Sequence, residues 1–128
     1  MDPKPYLAST SWEDIEKINA ALCKAGGYEP GARAEGWEPA RALWEKSHNA
    51  PLSFMQVADL CLECHRLAPF PYFNGNTFAS CARVALASAF DTLDYKHQTF
   101  ARAALAHYIA GTIDRAELIA IIGAVLGE

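Results

Sequence analysis

The chain has 128 residues, of which 52% are hydrophobic and 20% charged, and its formal net charge at pH 7 is -4. This size and composition predict a single domain over residues 1–128 with a substantial core. The sequence contains no run of lysine and arginine and no apolar stretch of about 18 residues, so neither nucleic acid nor a membrane is an expected partner. The opening segment MDPKPYLASTSWED lacks the apolar centre of a secretory signal. We therefore expect a cytoplasmic protein whose cysteines are reduced.

The first two helices are predicted from their ends. Ser11 can cap a helix while Asp14 closes a capping box, and the glycine pair at 26–27 predicts where that helix stops. A loop rich in glycine and proline follows. A second helix then begins around Trp37.

The remaining helices are predicted from hydrophobic periodicity and from the breakers between them. We expect them at 54–67, 76–90 and 97–110, with a last helix capped by Thr112 or Asp114 that ends near Leu126. The segment HNAPLS at 48–53 interrupts the helical pattern, and a short β-hairpin stays open there. The predicted fold class is therefore all-α, a bundle of about six helices.

The stretch PYFNGNTF at 71–78 predicts a binding loop. Gly75 permits a close backbone approach, and Asn76 can cap the helix that follows. The amides of 76–78 would lie at the positive end of the helix dipole, which attracts phosphate or carboxylate. An ordinary turn between two core helices is the alternative. The residues of the predicted ligand-binding loop are Phe70, Tyr72, Asn74, Gly75, Asn76, Thr77 and Phe78.

Several stretches together resemble the Fic/Doc family, especially the short Doc-like (death-on-curing) toxins. They are AGGYEPGARAEGWEPARAL at 25–43, FMQVADLCLEC at 54–64, HYIAGTIDRAELIAIIGAVL at 107–126 and the motif region between the last two. The resemblance implies a Fic/Doc-like helical bundle, in which the hairpin left open at 48–53 would be a short flap. It also implies that the loop derives from one that cradles nucleotide phosphates.

The loop departs from the family motif, H-x-F-x-x-G-N-G/K-R, at the charged positions. In the family, the His is the general base, the acid before the Gly holds magnesium, and the Arg residues neutralise phosphate. When the Gly-Asn pairs are aligned, the base, the acid and the two Arg positions are occupied by Phe70, Asn74, Phe78 and Cys81. Phenylalanine cannot accept a proton, and asparagine is a weaker magnesium ligand than a carboxylate.

The resemblance therefore implies a degenerate Fic/Doc protein that does not transfer AMP or phosphate. It would instead bind a partner protein, such as an intact Fic relative or an antitoxin-like protein, or a small phosphate or carboxylate ligand. A homodimer stays open as well.

Two alternative functions also stay open. An enzyme with altered chemistry in the same cleft would use His65, Tyr72, Asn76, Cys64 or Cys81 on a small-molecule substrate. A metal or haem protein would use Cys61, Cys64 and His65, which match the C-x-x-C-H pattern and share one helix face. The favoured interpretation is that the cysteines are small core hydrophobes, so we predict no metal and no cofactor.

Overall fold

The protein is described here by a computed structural model that covers residues 3–33 and 35–127. The domain predicted over 1–128 also includes Met1, Asp2, Ala34 and Glu128, which lie outside these ranges. The described residues form six α-helices and one short 3-10 helix, which confirms the all-α prediction. The α-helices are α1 (Trp12–Gly26), α2 (Trp37–Ser47), α3 (Phe54–Leu67), α4 (Asn74–Ala85), α5 (Tyr95–Ala110) and α6 (Arg115–Leu126), and the 3-10 helix is Ala87–Phe90.

Local capping sets most of the helix ends. The Ser11 side chain accepts from the amide of Asp14, whose carboxylate accepts from the amide of Ser11, so the predicted capping box is confirmed. Asp114 forms the same kind of box with Glu117, so it is Asp114 rather than Thr112 that caps α6. Gly27 ends α1 in the left-handed conformation, which glycine adopts without steric cost.

The predicted boundaries of α4 are wrong at both ends. The helix begins at Asn74, two residues before the predicted start, and its N-cap is Phe73, which makes no side-chain capping bond. It stops at Ala85, because Leu86 leaves the helical conformation and the chain continues as the 3-10 helix. Leu86 and Phe90 are both fully buried, so the break directs both side chains into the core.

The β-hairpin considered at 48–53 does not form. Leu52 instead makes an isolated antiparallel bridge with Lys4, in which each amide donates to the other residue's carbonyl, at 3.0 and 2.8 Å. No strand longer than this bridge occurs among the described residues. The bridge joins the segment before α1 to the segment before α3.

The core brings the start of α4 close to α1. Helix α3 packs against α2, α4 and α5, while α4 also packs against α1. The ring of Phe70 stacks on Trp12 at 5.9 Å between centroids and on Phe78 at 6.4 Å. This aromatic stack fixes the α3–α4 loop against α1. None of the helices in the described part of the chain combines the length and the apolar content needed to cross a membrane.

Candidate functional site

The loop between α3 and α4 contains two residues in the left-handed backbone conformation. They are Ala68, with φ of 51°, and Phe73, with φ of 63°, and neither is a glycine. This conformation costs an L-residue about 1–2 kcal/mol, so it persists only where the surrounding contacts hold it. The candidate loop is therefore held by contacts from its surroundings.

Asn74 provides the first of these contacts. Its Oδ1 accepts from the amide of Phe70 at 3.0 Å, and its Nδ2 donates to the carbonyl of Phe70 at 2.7 Å. Both ends of the side-chain amide are thus used to close the loop. Asn74 therefore has a structural role in the loop.

Asn19 of α1 provides the second contact, and it is not among the residues that the sequence pattern predicts for the site. Its Nδ2 donates to the carbonyl of Tyr72 at 2.7 Å and to Oγ1 of Thr77 at 3.1 Å. Its Oδ1 faces the thiol of Cys23 at 3.6 Å. Both Asn19 and Thr77 are buried. The available signal was position, because Asn19 is a polar residue four positions after Ile15, on the buried face of α1.

The first and last residues of the predicted ligand-binding loop, Phe70 and Phe78, lie in the core. Phe70 is 2% exposed, and Phe78 is fully buried. Both were predicted to belong to the ligand-binding loop, but their rings pack against Trp12 instead. Any ligand at this loop must therefore contact its backbone and its outer side chains.

The free amides of the first turn of α4 are those of Asn74, Gly75 and Asn76, which have no hydrogen-bond partner among the described residues. The amide of Thr77 donates to the carbonyl of Phe73 at 2.9 Å, as the helix requires. The prediction of free amides at 76–78 was thus displaced by two residues. Asn76 is exposed in this first turn and does not cap the helix.

The half-buried side chain of His65 lies against this first turn. Its Nδ1 is 2.7 Å from the carbonyl of Ile109, and a carbonyl can only accept, so Nδ1 carries the proton. A Cβ built on Gly75 would lie 3.4 Å from Cε1 and 3.5 Å from Nε2 of the imidazole. The structure therefore brings together His65 and Gly75, which are ten residues apart in the sequence. In the neutral ring, Nε2 is an acceptor beside the helix start, and it has no hydrogen-bond partner among the described residues.

Tyr72 lies at the surface next to this turn. It is 43% exposed, and its ring packs against that of Tyr28, which is 48% exposed, at 4.4 Å between centroids. The ring of Phe73 contacts the edge of Tyr28 and approaches Gly26 closely. The two tyrosines form an exposed aromatic pair, which joins the end of α1 to the loop.

The candidate cysteines are separated from this surface. Cys61, Cys64 and Cys81 are all buried, which confirms the interpretation of Cys61 and Cys64 as small core hydrophobes. Burial raises the pKa of Cys64 and of Cys81 to about 12, and it raises the pKa of Cys61 as well. At neutral pH these groups are thiols, and a thiol is a poor nucleophile.

The C-x-x-C-H pattern does not form a metal-binding group in this fold. Cys61 and Cys64 face the core, whereas the imidazole of His65 is hydrogen-bonded to α5. Within residues 3–33 and 35–127, no cluster of three or more His, Cys, Asp or Glu side chains has the geometry to hold a metal ion. The geometry gives the metal or haem hypothesis no support.

Comparisons of the chain with protein-family models, with curated proteins and with solved structures found no match.

Proposed function

We propose that this chain is a degenerate Fic/Doc-fold protein that binds an anionic group at the first turn of α4 and does not transfer AMP or phosphate. The observation that carries the proposal is the set of three amides at Asn74, Gly75 and Asn76, which have no hydrogen-bond partner among the described residues. The aligned base and first Arg positions, Phe70 and Phe78, are core aromatics. The helix start thus keeps the means to bind an anion without the groups that would activate it.

The chemistry of the site favours a weakly bound ligand with an apolar part. The helix dipole contributes about 0.3–1 kcal/mol at an exposed end, and free amides add hydrogen bonds. The exposed rings of Tyr72 and Tyr28 lie next to the turn and offer apolar area. We therefore expect a phosphate or carboxylate carried on a planar or apolar group. Its dissociation constant should be in the millimolar range, which corresponds to a binding free energy of about 4 kcal/mol.

The anionic group can also belong to a partner protein. An acidic side chain or a chain terminus presents the same carboxylate to the free amides, and its apolar neighbours would contact Tyr72. An intact Fic relative or an antitoxin-like protein, the partners that the resemblance implies, would bind in this way. A small ligand and a partner would then compete for one site.

A titration followed by the backbone amide NMR signals tests the proposal. Phosphate and AMP should shift the signals of Asn74, Gly75 and Asn76 in a saturable way, with smaller effects at Thr77. Asn76→Asp should abolish the shifts while leaving the helix stable, since an acid in the first turn suits the dipole but repels the anion. Asn49→Asp changes the charge equally at another exposed position and serves as the matched control. Amides that stay unmoved well above millimolar ligand would contradict the proposal.

Incubation with labelled ATP and candidate proteins tests the absence of transfer. We expect no labelling, because a missing general base alone typically costs a factor of about 10²–10⁴ in rate. Strong labelling that Asn76→Ala removes would show that other residues have replaced the missing charges.

The geometry of His65 favours a second candidate, an enzyme with altered chemistry in the same cleft. Its Nδ1 is held by the carbonyl of Ile109, which leaves Nε2 as an oriented acceptor beside Gly75. A general base needs such an orientation. His65→Asn keeps a donor for the Ile109 carbonyl but removes the base. If a substrate is found, lost turnover in this variant with unchanged amide shifts at Gly75 would favour the enzyme.

A further inference from the structure

A pocket of about 280 Å³ lies between α4 and α5, which pack against each other. It is lined by Ser80, Arg83 and Val84 of α4, by Ala87 of the 3-10 helix and by Arg102 of α5. The first turn of α4 does not line it. The two arginines lie on different helices, so it is the packing of these helices that brings them to one pocket.

This pocket is basic and lacks an acidic counterpart. Arg83 and Arg102 line it, and no Asp or Glu of the described residues does. Moreover, α4 and α5 contain no acidic residue at all, although the chain has 15 of them and a net charge of -4. The absence of carboxylates from both helices leaves a local excess of positive charge on a negatively charged protein.

The guanidinium groups of the pocket keep most of their donors available. Arg83 has no hydrogen-bond or ion-pair partner in the described part of the chain. Nη2 of Arg102 donates to the neutral side chain of Gln98 at 3.2 Å. Arg41 and Arg115, by contrast, each pair with a carboxylate. Because a guanidinium has five N–H donors in a planar fork, the pocket can hold an oxyanion with two donors on each of its oxygens.

The other walls of the pocket are small. Val84 is 59% exposed, and Ala87 is exposed as well. Ser80 is half-buried and contributes a hydroxyl that can donate to an anion. The pocket therefore combines cationic donors with a small apolar surface, which suits an oxyanion on a short aliphatic stem.

Size and charge together limit the occupant. The volume of about 280 Å³ is below the roughly 300–1,000 Å³ that hold a cofactor or a drug-sized molecule, so a single side chain fits better. A long polyanion such as nucleic acid needs many cations, whereas Lys96 is the only Lys or Arg of α4 and α5 besides the two arginines. One carboxylate is the charge that this pair of arginines matches.

We propose that the pocket between α4 and α5 binds the carboxylate of a glutamate side chain that a partner protein presents. The carboxylate lies between the guanidinium groups of Arg83 and Arg102, and its methylene groups contact Val84. This contact is independent of the anion binding proposed at residues 74–76, since it depends on arginine side chains and not on helix amides.

A titration with N-acetyl-glutamate α-amide, monitored at the arginine Nε–H signals in an NMR spectrum, tests the proposal. The signals of Arg83 and Arg102 should shift in a saturable way. N-acetyl-glutamine α-amide has the same size but no charge, so it should leave both signals in place. Acetate has the charge but almost no stem and should bind more weakly. Inorganic phosphate serves as the second oxyanion.

Variants separate the two arginines from a general effect of added anion. Arg83→Gln and Arg102→Gln each remove one signal, which assigns it, and each should weaken binding about two- to fivefold, the scale of one exposed ion pair. Arg66→Gln makes the same change at an exposed position on α3 and should leave binding unchanged. Arg83 is exposed, so its variant keeps the test valid if Arg102→Gln does not fold.

Three outcomes would overturn the proposal. If neither arginine signal moves well above millimolar ligand, the pocket does not bind a carboxylate. If the glutamine compound acts as strongly as the glutamate compound, or if Arg83→Gln has no effect, charge is not what the pocket recognises. If phosphate moves the signals and the glutamate compound does not, the pocket binds phosphate instead. All three are distinct from the test at the first turn of α4, which is monitored at the amides of 74–76.

Discussion

Replacing Asn19 by leucine tests whether α1 holds the candidate loop in place. The side chain of Asn19 makes two hydrogen bonds from Nδ2, to Tyr72 and to Thr77, and it is only 1% exposed. Leucine is similar in size but has no donor, so the change removes both bonds and little volume. The left-handed Phe73 lies between the two acceptors in the chain and would lose contacts that hold it.

The expected loss of unfolding free energy follows from these contacts. Each lost hydrogen bond contributes about 0.5–1.5 kcal/mol, and a buried acceptor left unpaired costs about 1–3 kcal/mol. The hydroxyl of Thr77 can turn towards the carbonyl four residues earlier, which offsets part of the loss. The carbonyl of Tyr72 has no other donor among the described residues. We therefore expect Asn19→Leu to cost about 2–4 kcal/mol.

Urea unfolding followed by circular dichroism measures this loss from the midpoint at unchanged slope. Asn49→Leu replaces an exposed asparagine and should change stability by less than about 0.5 kcal/mol. Combining Asn19→Leu with Thr77→Val should give a coupling energy of about 0.5–1.5 kcal/mol, since the two side chains share one bond. A loss as small as that of the control would refute the argument that Asn19 anchors the loop.

Three further predictions concern other features of the fold. Gly36→Ala should lower the free energy of unfolding by about 3 kcal/mol or more, as measured by thermal melting. The added Cβ would lie 2.0 Å from a backbone carbonyl oxygen at the end of α3. Gly31→Ala, with its nearest neighbour at 3.9 Å, is the neutral control, and equal losses would contradict the packing argument. Ala68→Gly should stabilise the fold by about 0.5 kcal/mol, since glycine relieves the left-handed strain but gains freedom when unfolded; a destabilised variant would count against this. Cys64 and Cys81 should react with a thiol reagent at pH 8 far more slowly in the native state than in urea. Unfolded thiols ionise above about pH 8.5 whereas these two titrate at about 12, so stability should fall as the pH rises through this window. Rapid native labelling would contradict the burial of these thiols.

The helices themselves were largely predictable because their signals are local. Ser11 with Asp14 and Asp114 with Glu117 each lie within one turn, so their capping bonds depend little on the rest of the fold. The predicted range of α3, 54–67, matches the structure because its N-cap and its buried face lie within the same segment. The predicted start of α4 was wrong because the N-cap is Phe73, a residue whose side chain cannot cap a helix and which therefore gives no signal in the sequence.

The candidate site was predictable only as a segment. The sequence by itself determined that 71–78 leads into a helix, that Gly75 and Asn76 lie near its start, and that residues 70–78 include no charged side chain. Tertiary packing decided which of the aromatic residues face inward, because hydrophobicity alone does not distinguish the buried Phe70 from the exposed Tyr72.

The partners of the site residues were decided by tertiary structure alone. His65 meets the carbonyl of Ile109, and Asn19 meets Tyr72 and Thr77, over separations of 44 to 58 residues. A hydrogen bond between residues so far apart depends on how the helices pack, and helix packing leaves no periodic pattern in the polar residues that it brings together.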